Sequence, residues 1–208
     1  TGTGDFGYIG SGSDSFYMRT YTQRIDYSND TPTTSPKGNV TLGRYNHSAF
    51  SSTTHGYFTG GGAPSENTGT GWTTTDRIDY SNDTATAVTK SPLSAGRTHT
   101  TSTSSRDNGN PTTTGSSTFS QPGQVPVGNP YGYFGGGNYG GTEYSSVDRI
   151  DFDTNLETAL VRGPLLAPRK STAGASSPSY GYWAGGLLGG SYDPSQDVSN
   201  VDRLDYSS

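Results

Sequence analysis

Gly132-Tyr-Phe-Gly-Gly-Gly137, followed by Arg149-Ile-Asp-Phe-Asp-Thr154, decides the fold, because both phrases recur through the chain. The first returns as Gly7-Tyr-Ile-Gly-Ser-Gly12, Gly56-Tyr-Phe-Thr-Gly-Gly-Gly62 and Gly181-Tyr-Trp-Ala-Gly-Gly186. The second returns as Arg24-Ile-Asp-Tyr-Ser-Asn-Asp-Thr31, Arg77-Ile-Asp-Tyr-Ser-Asn-Asp-Thr84 and Arg203-Leu-Asp-Tyr-Ser207. A fixed internal period marks a repeat architecture and outranks other sequence signals. It also restrains the functional reading, since a residue present four times belongs to the scaffold before it belongs to an active site.

Gly7 to Gly56 is 49 residues, as is Gly132 to Gly181, whereas Gly56 to Gly132 is 76. A third landmark, the arginine ending Leu42-Gly-Arg44, Leu93-Ser-Ala-Gly-Arg97 and Leu165-Leu-Ala-Pro-Arg169, locates the excess. From Arg44 to Gly56 and from Arg169 to Gly181 is 12 residues, but from Arg97 to Gly132 is 35. The repeats therefore run about 1–44, 45–97, 98–169 and 170–208, the last partial, with a loop insertion at about 105–128 rich in Gly, Pro, Asn and Ser.

Hydrophobic residues make up only 27% of the 208, which would suit a disordered chain. Against that, aromatics reach 12%, recur at fixed positions, and accompany a net charge of only −5. Tyrosine, present fifteen times, can bury a large ring while its hydroxyl finds a polar partner. An acidic balance lacks the basic footprint of nucleic-acid binding, and no run approaches the roughly 18 apolar residues of a membrane-spanning helix. With no cysteine, disulfides, thiolate metal sites and cysteine nucleophiles are excluded.

No stretch shows helical apolar spacing, and Gly, Pro, Ser, Thr and Asn are too dense to propagate a helix. Each repeat instead parses as four short strands, for example Ser48–Ser52, Tyr57-Phe58, Asp76–Tyr80 and Ala85–Thr89. In Val147–Phe152, Ile150, Phe152 and Asp148 share one face, and Arg149 and Asp151 the other. The like-faced Arg77 and Asp79, Arg24 and Asp26, are expected to form ion pairs between packed sheets. The following Ser-Asn-Asp-Thr is turn chemistry.

Four-strand units recurring every ~50 residues are the signature of a β-propeller blade. The aromatic pair, the glycine run (Gly60–Gly62, Gly135–Gly137, Gly185-Gly186), the third-strand Tyr and the closing Arg resemble a kelch repeat, without the late-strand Trp of that family. The wording of the two phrases also resembles repeats in long virion structural proteins of marine tailed phages. The expected fold is all-β, a kelch-like β-propeller segment of about four blades. The chain opens on a second strand and stops after a third, so a segment of a longer protein, or a ring completed by several chains, is expected. The resemblance implies a virion-exterior or extracellular setting and other virion subunits as partners.

His47, His55 and His99 stand in no zinc or copper spacing, and no metal or cofactor is expected. Asp26–Asp30 only faintly suggests calcium ligands; a β-turn explains it. Most Asp residues belong to the repeated phrase, the glycine runs lack a Gly-Lys-Ser/Thr, and no catalytic residue is assigned. What varies between repeats is the loop after each glycine run, which carries Trp72, Asn138, Tyr139, Tyr144 and Tyr192 among small polar residues. Aromatic and small polar groups on a rigid scaffold suit recognition, and rings stack on sugar faces. Two readings stand: a candidate binding surface for host glycans, or cover for sheet edges and subunit contacts. The expected role is a non-enzymatic structural or adhesive module. A secreted or cell-surface glycan-binding propeller and a polysaccharide-degrading enzyme are the alternatives.

Overall fold

The computed structural model describes residues 1–14, 17–29, 31–62, 71–104, 131–154, 157–177, 179–189 and 197–207. The insertion at 105–128 and Tyr192 lie outside them. The described residues form antiparallel sheets without an α-helix, the sole helical element being the 3₁₀ turn Tyr80–Asn82. The protein is all-β.

Four sheets follow one another along the chain. Sheet 1 holds β1 (Phe6–Gly10), β2 (Thr22–Asp26) and β3 (Ser35–Lys37). Sheet 2 holds β4 (Ser48–Ser51), β5 (His55–Thr59), β6 (Thr75–Asp79) and β7 (Val88–Lys90). Sheet 3 holds β8 (Thr101–Ser104), β9 (Tyr131–Gly135), β12 (Val147–Asp151) and β13 (Leu160–Arg162), with the hairpin β10 (Asn138–Tyr139) and β11 (Thr142–Glu143) between β9 and β12. Sheet 4 holds β14 (Ala173–Ser176), β15 (Tyr180–Ala184) and β16 (Val201–Asp205). The register repeats: Tyr57 opposes Arg77, Tyr133 opposes Arg149, Tyr182 opposes Arg203 and Tyr8 opposes Arg24. Sheet 1 has the end of a first strand too, for Gly2 bridges Gly7 and Tyr8 N–H donates to Thr1 O.

The aromatic phrase does not alternate polar with apolar because its strand is buried on both faces. Tyr57 packs with Phe134 and Leu93 toward sheet 3, while Phe58 packs with Tyr8 and Val40 toward sheet 1. Tyr133 in turn joins Trp183, Leu165 and Tyr206 toward sheet 4. The hydrophobic clusters thus lie between sheets. Ring stacking repeats there: Tyr80 on Tyr8 at 5.0 Å, Phe152 on Tyr57 at 5.2 Å, Tyr206 on Tyr133 at 4.6 Å. Gly132 is required by close approach, since a Cβ there would lie 2.2 Å from the Phe50 ring.

The first strands converge on a cavity of about 290 Å³ lined by Thr1–Thr3, Ala49–Ser51, Ser102–Ser104 and Gly174–Ser176, with Tyr27. Hydroxyls join these strands across sheets. Ser102 Oγ donates to Ala49 O at 2.8 Å, Ser104 Oγ to Ser51 O at 3.0 Å and Thr1 Oγ1 to Phe50 O at 2.7 Å, and Thr101 Oγ1 donates to Thr172 O. Here the low apolar content has a structural use: small hydroxyl side chains satisfy carbonyls where large ones would not fit.

The closing arginines join consecutive sheets through both backbone and side chain. Arg44 O accepts from Gly12 N–H of sheet 1 at 2.9 Å, while the Arg44 guanidinium reaches Asp76 of sheet 2 at 2.7 Å and donates to Gly60 O and Thr74 O. Arg97 repeats this with Gly61 N–H, Asp148, Gly136 O and Ser146 O, and Arg169 with Gly137 N–H, Asp202, Gly185 O and Asn200 O. All three arginines are fully buried. The turns that serve Arg97 and Arg169 need φ of +65° and +83° at Gly60 and Gly61, and +67° and +98° at Gly136 and Gly137, while in the turn serving Arg44 the pair is Ser11 at +65° and Gly12 at +120°. Sheet 1 departs from the pattern, with exposed Gln23 in the register position of Asp76, Asp148 and Asp202.

This corrects the expected ion pairs. Asp26 and Asp79 accept from the backbone and hydroxyl of Ser28 and Ser81, which holds each carboxyl below its usual range and closes the turn. Arg24 pairs instead with Asp83 of sheet 2 at 2.8 Å and lies over the Phe6 ring at 4.2 Å; Arg149 lies over Tyr131 at 4.1 Å. The aspartate that matters is the one before the arginine in the repeated phrase, facing the other way.

Asp148→Ala leaves the Arg97 charge buried without its carboxylate, and is expected to lower unfolding free energy by about 3–5 kcal/mol. Replacing both partners by apolar residues, as Arg97→Met with Asp148→Leu, should recover much of that loss in equilibrium urea unfolding.

Candidate functional site

One main-chain slot recurs four residues ahead of the inward third-strand position, which is Asp76, Asp148 and Asp202 in sheets 2 to 4 and Gln23 in sheet 1. Its N–H donates to a glycine of the preceding run: Arg19 to Gly12 O, Trp72 to Gly61 O, Tyr144 to Gly137 O and Val198 to Gly186 O. The backbone is the same in each repeat and the side chain is different. Trp72 lies over the Arg44 guanidinium at 5.9 Å and Tyr144 over that of Arg97 at 4.9 Å, so each ring covers a buried arginine with one side and leaves the other for solvent.

Tyr139 arrives by another route. It starts the two-residue turn of the β10–β11 hairpin, whose Gly140 and Gly141 have φ of +56° and +81°, the conformation that suits a tight hairpin and that glycine adopts freely. The hairpin is tied down at both strands. Asn138 and Thr98 exchange backbone hydrogen bonds at 2.9 Å, and Glu143 pairs with Lys170 of sheet 4 at 3.5 Å.

Trp72, Tyr139 and Tyr144 together line a groove of about 410 Å³ with Leu42, Thr73, Thr74, Gly71, Ala95 and Gly96. Its floor is backbone in close contact, for a Cβ on Gly96 would lie 2.1 Å from Gly71 O. Three of the five expected residues therefore share a surface built from sheets 2 and 3. Asn138 belongs elsewhere: its Oδ1 accepts from Thr98 Oγ1 at 2.8 Å and lies 3.2 Å from His99 Nδ1. Tyr192 is outside the described residues. Leu42, 39% exposed at the groove margin, was not anticipated; it had been read only as part of the phrase before a closing arginine.

Among the described residues no group of three or more His, Asp or Glu is placed to hold a metal ion. The histidines do different work. His99 Nε2 accepts from Asn46 Nδ2 at 2.8 Å, its backbone N–H donates to Asn46 O and its own carbonyl accepts from Ser171 N–H, a backbone chain across sheets 2, 3 and 4. Burial, aided by the nearby Arg44 charge, lowers the His47 pKa to about 4. No helix among the described residues is long and apolar enough to cross a membrane. A scan against protein-family models matches none, and a search of curated proteins finds no relative.

Because the folded His47 holds its proton less tightly than an unfolded histidine, its contribution to stability is full above pH 6.5. It is lost as pH falls toward about 4, by up to about 3 kcal/mol. His47→Gln is expected to flatten the acid limb of stability between those pH values, measured by urea unfolding at a series of pH values.

Proposed function

We propose that the four sheets are successive blades of a kelch-like β-propeller segment that works as a non-enzymatic structural or adhesive module. Its setting is the exterior of a virus particle, where it displays variable side chains on an invariant frame. The observation that carries this reading is the groove in which Trp72, Tyr139 and Tyr144, from two successive sheets, stand side by side. The convergence of every first strand on one cavity supports the propeller geometry. The slot residues support the display role, since the frame holds the backbone constant and lets the side chain change.

The groove suits a flat, polar-edged ligand with an apolar face, the chemistry of a sugar ring. Two tyrosines and a tryptophan offer stacking surfaces, while Thr73 and Thr74 offer hydroxyls. One such contact is weak, and display in many copies on a particle raises avidity without new contacts. Glycan binding by a cell-surface or secreted propeller is the second reading, and it uses the same groove.

Retention of the chain on a glycan array and on host-cell envelopes tests the proposal. Tyr139→Ala, on the hairpin turn, is expected to weaken retention with little change in melting temperature, and adding Trp72→Ala to weaken it at least tenfold, about 1.4 kcal/mol, with a lower melting temperature because the Trp72 ring covers the buried Arg44. Retention unaffected by the double substitution removes the groove from the proposal, and steady release of shortened glycan replaces adhesion with catalysis.

A further inference from the structure

We infer that sheet 2 binds a small carboxylate anion on the face it turns toward sheet 3, with Arg77 and Lys90 holding it and His55 beside them. The pocket at Arg77 shares no residue with the aromatic groove, and binding there is independent of what the groove takes. The same contact is complete between sheets 1 and 2 and lacks one carboxylate between sheets 2 and 3.

In sheet 1, Arg24 opposes Tyr8 and Lys37 opposes Thr22. These two cations and the Tyr8 hydroxyl converge on one carboxylate of sheet 2, that of Asp83. Arg24 Nη1 lies 2.8 Å from Asp83 Oδ2, Lys37 Nζ 3.2 Å from Oδ1, and Tyr8 Oη donates to Oδ2 at 2.9 Å. Asp26, which also feels the Arg24 charge, brings the second negative charge. Two carboxylates thus balance two cations.

Sheet 2 repeats the cations. Arg77 opposes Tyr57 and Val88, and Lys90 opposes Thr75, so Arg77 and Lys90 are diagonal neighbours on the face that carries Tyr57. Burial, with the Arg77 charge close by, lowers the Lys90 pKa. The carboxylate is not repeated. Six residues after the arginine of the Arg-Ile-Asp phrase stands Asp83 in sheet 2 but Asn155 in sheet 3, the latter outside the described residues. Among the described residues neither Arg77 nor Lys90 has an ion pair. Asp79, the counterpart of Asp26, accepts from Ser81 N–H and Oγ, and Glu157 lines another cavity beside Arg149. Two cations therefore share the single carboxylate of Asp79, a surplus of one positive charge.

The surroundings leave room for a ligand. Arg77 lines a pocket of about 180 Å³ with Asp79, Asn82, Ala85, Thr86 and Val88. The ring next to the phrase arginine also differs. Arg24 lies over Phe6, Arg149 over Tyr131 and Arg203 over Tyr180, whereas the same register position in sheet 2 is His55. His55 Nδ1 meets Thr54 Oγ1 at 2.8 Å, and its Nε2 has no hydrogen bond among the described residues. One surplus charge selects a monoanion, and an Arg and a Lys placed as those that grip Asp83 suit a planar carboxylate. Simple organic acids and acidic sugars share that group.

Isothermal titration with sodium acetate and with sodium glucuronate, against sodium chloride at matched ionic strength, is the test. One carboxylate bound per chain is expected, weakened about tenfold by Arg77→Gln or by Lys90→Gln with unchanged melting temperature. Tighter binding of glucuronate supports the site with an acidic sugar as its ligand, and equal binding supports it with the carboxylate alone recognised. His55 gives a second readout by NMR. Burial and the Arg77 and Lys90 charges lower its pKa against the opposing pull of Asp79, so a bound carboxylate is expected to raise it. Asp83→Asn leaves Arg24 and Lys37 in the same condition as Arg77 and Lys90, and is expected to bring a second bound carboxylate. Heat no greater than with chloride overturns the inference, as does binding indifferent to both glutamine variants or a His55 pKa unmoved by saturating acetate.

Discussion

Each closing arginine is a staple whose two ends belong to different sheets. Its carbonyl takes a glycine N–H from the sheet before, and its guanidinium enters the sheet after, among carbonyls and one aspartate. A buried charge is tolerable only with such complete pairing. That requirement explains the company it keeps. The glycine run turns with positive φ to aim its N–H at the arginine carbonyl. The aspartate before the repeated Arg-Ile-Asp phrase points inward to meet the guanidinium. Thr41 and Ser94 donate both N–H and hydroxyl to the same carboxylates, so that both oxygens of each accept a hydrogen bond.

The repeat, its strands and its turns were legible because they are local. Alternation in Val147–Phe152, the Ser-Asn-Asp-Thr turns and the glycine runs all act within a few residues of themselves. The pairing of Arg97 with Asp148 was not legible, because its partners lie 51 residues apart with the insertion between them. The nearer pair, Arg77 and Asp79, competed for the same explanation. One signal was available: the closing arginine occurs in the first three repeats and the inward aspartate in the last three, with Gln23 in its place in the first, so each arginine has its aspartate in the repeat that follows. The groove was half legible. Variable aromatics after a glycine run pointed to Trp72, Tyr139 and Tyr144, but not to their shared wall, which depends on how sheet 3 follows sheet 2. Asn138 lies outside the groove lining, and its Oδ1 accepts from Thr98 Oγ1, a contact set by how the Thr98 segment approaches the hairpin and so not readable from a variable loop alone.

The division between frame and slot also accounts for the composition. Few residues are apolar because the large buried rings of the three clusters sit at sheet-to-sheet boundaries, where each serves two sheets at once. Elsewhere the first strands approach closely and carry mostly serine, threonine, alanine and glycine, as where a Cβ on Gly174 would lie 2.4 Å from Thr101 Cγ2. Serine and threonine richness, which alone would suggest disorder, is here the consequence of close strand approach.

Since the apolar clusters lie between sheets, no sheet has a core of its own. Stability is then a property of neighbours, and the chain behaves as a short one-dimensional lattice. Sheets 2 and 3 each lie between two such boundaries, so their middle strands come free only when both neighbours let go. β5 and β9, buried on both faces, are held from either side at once and are expected to be the last strands to release their amide protons to exchange.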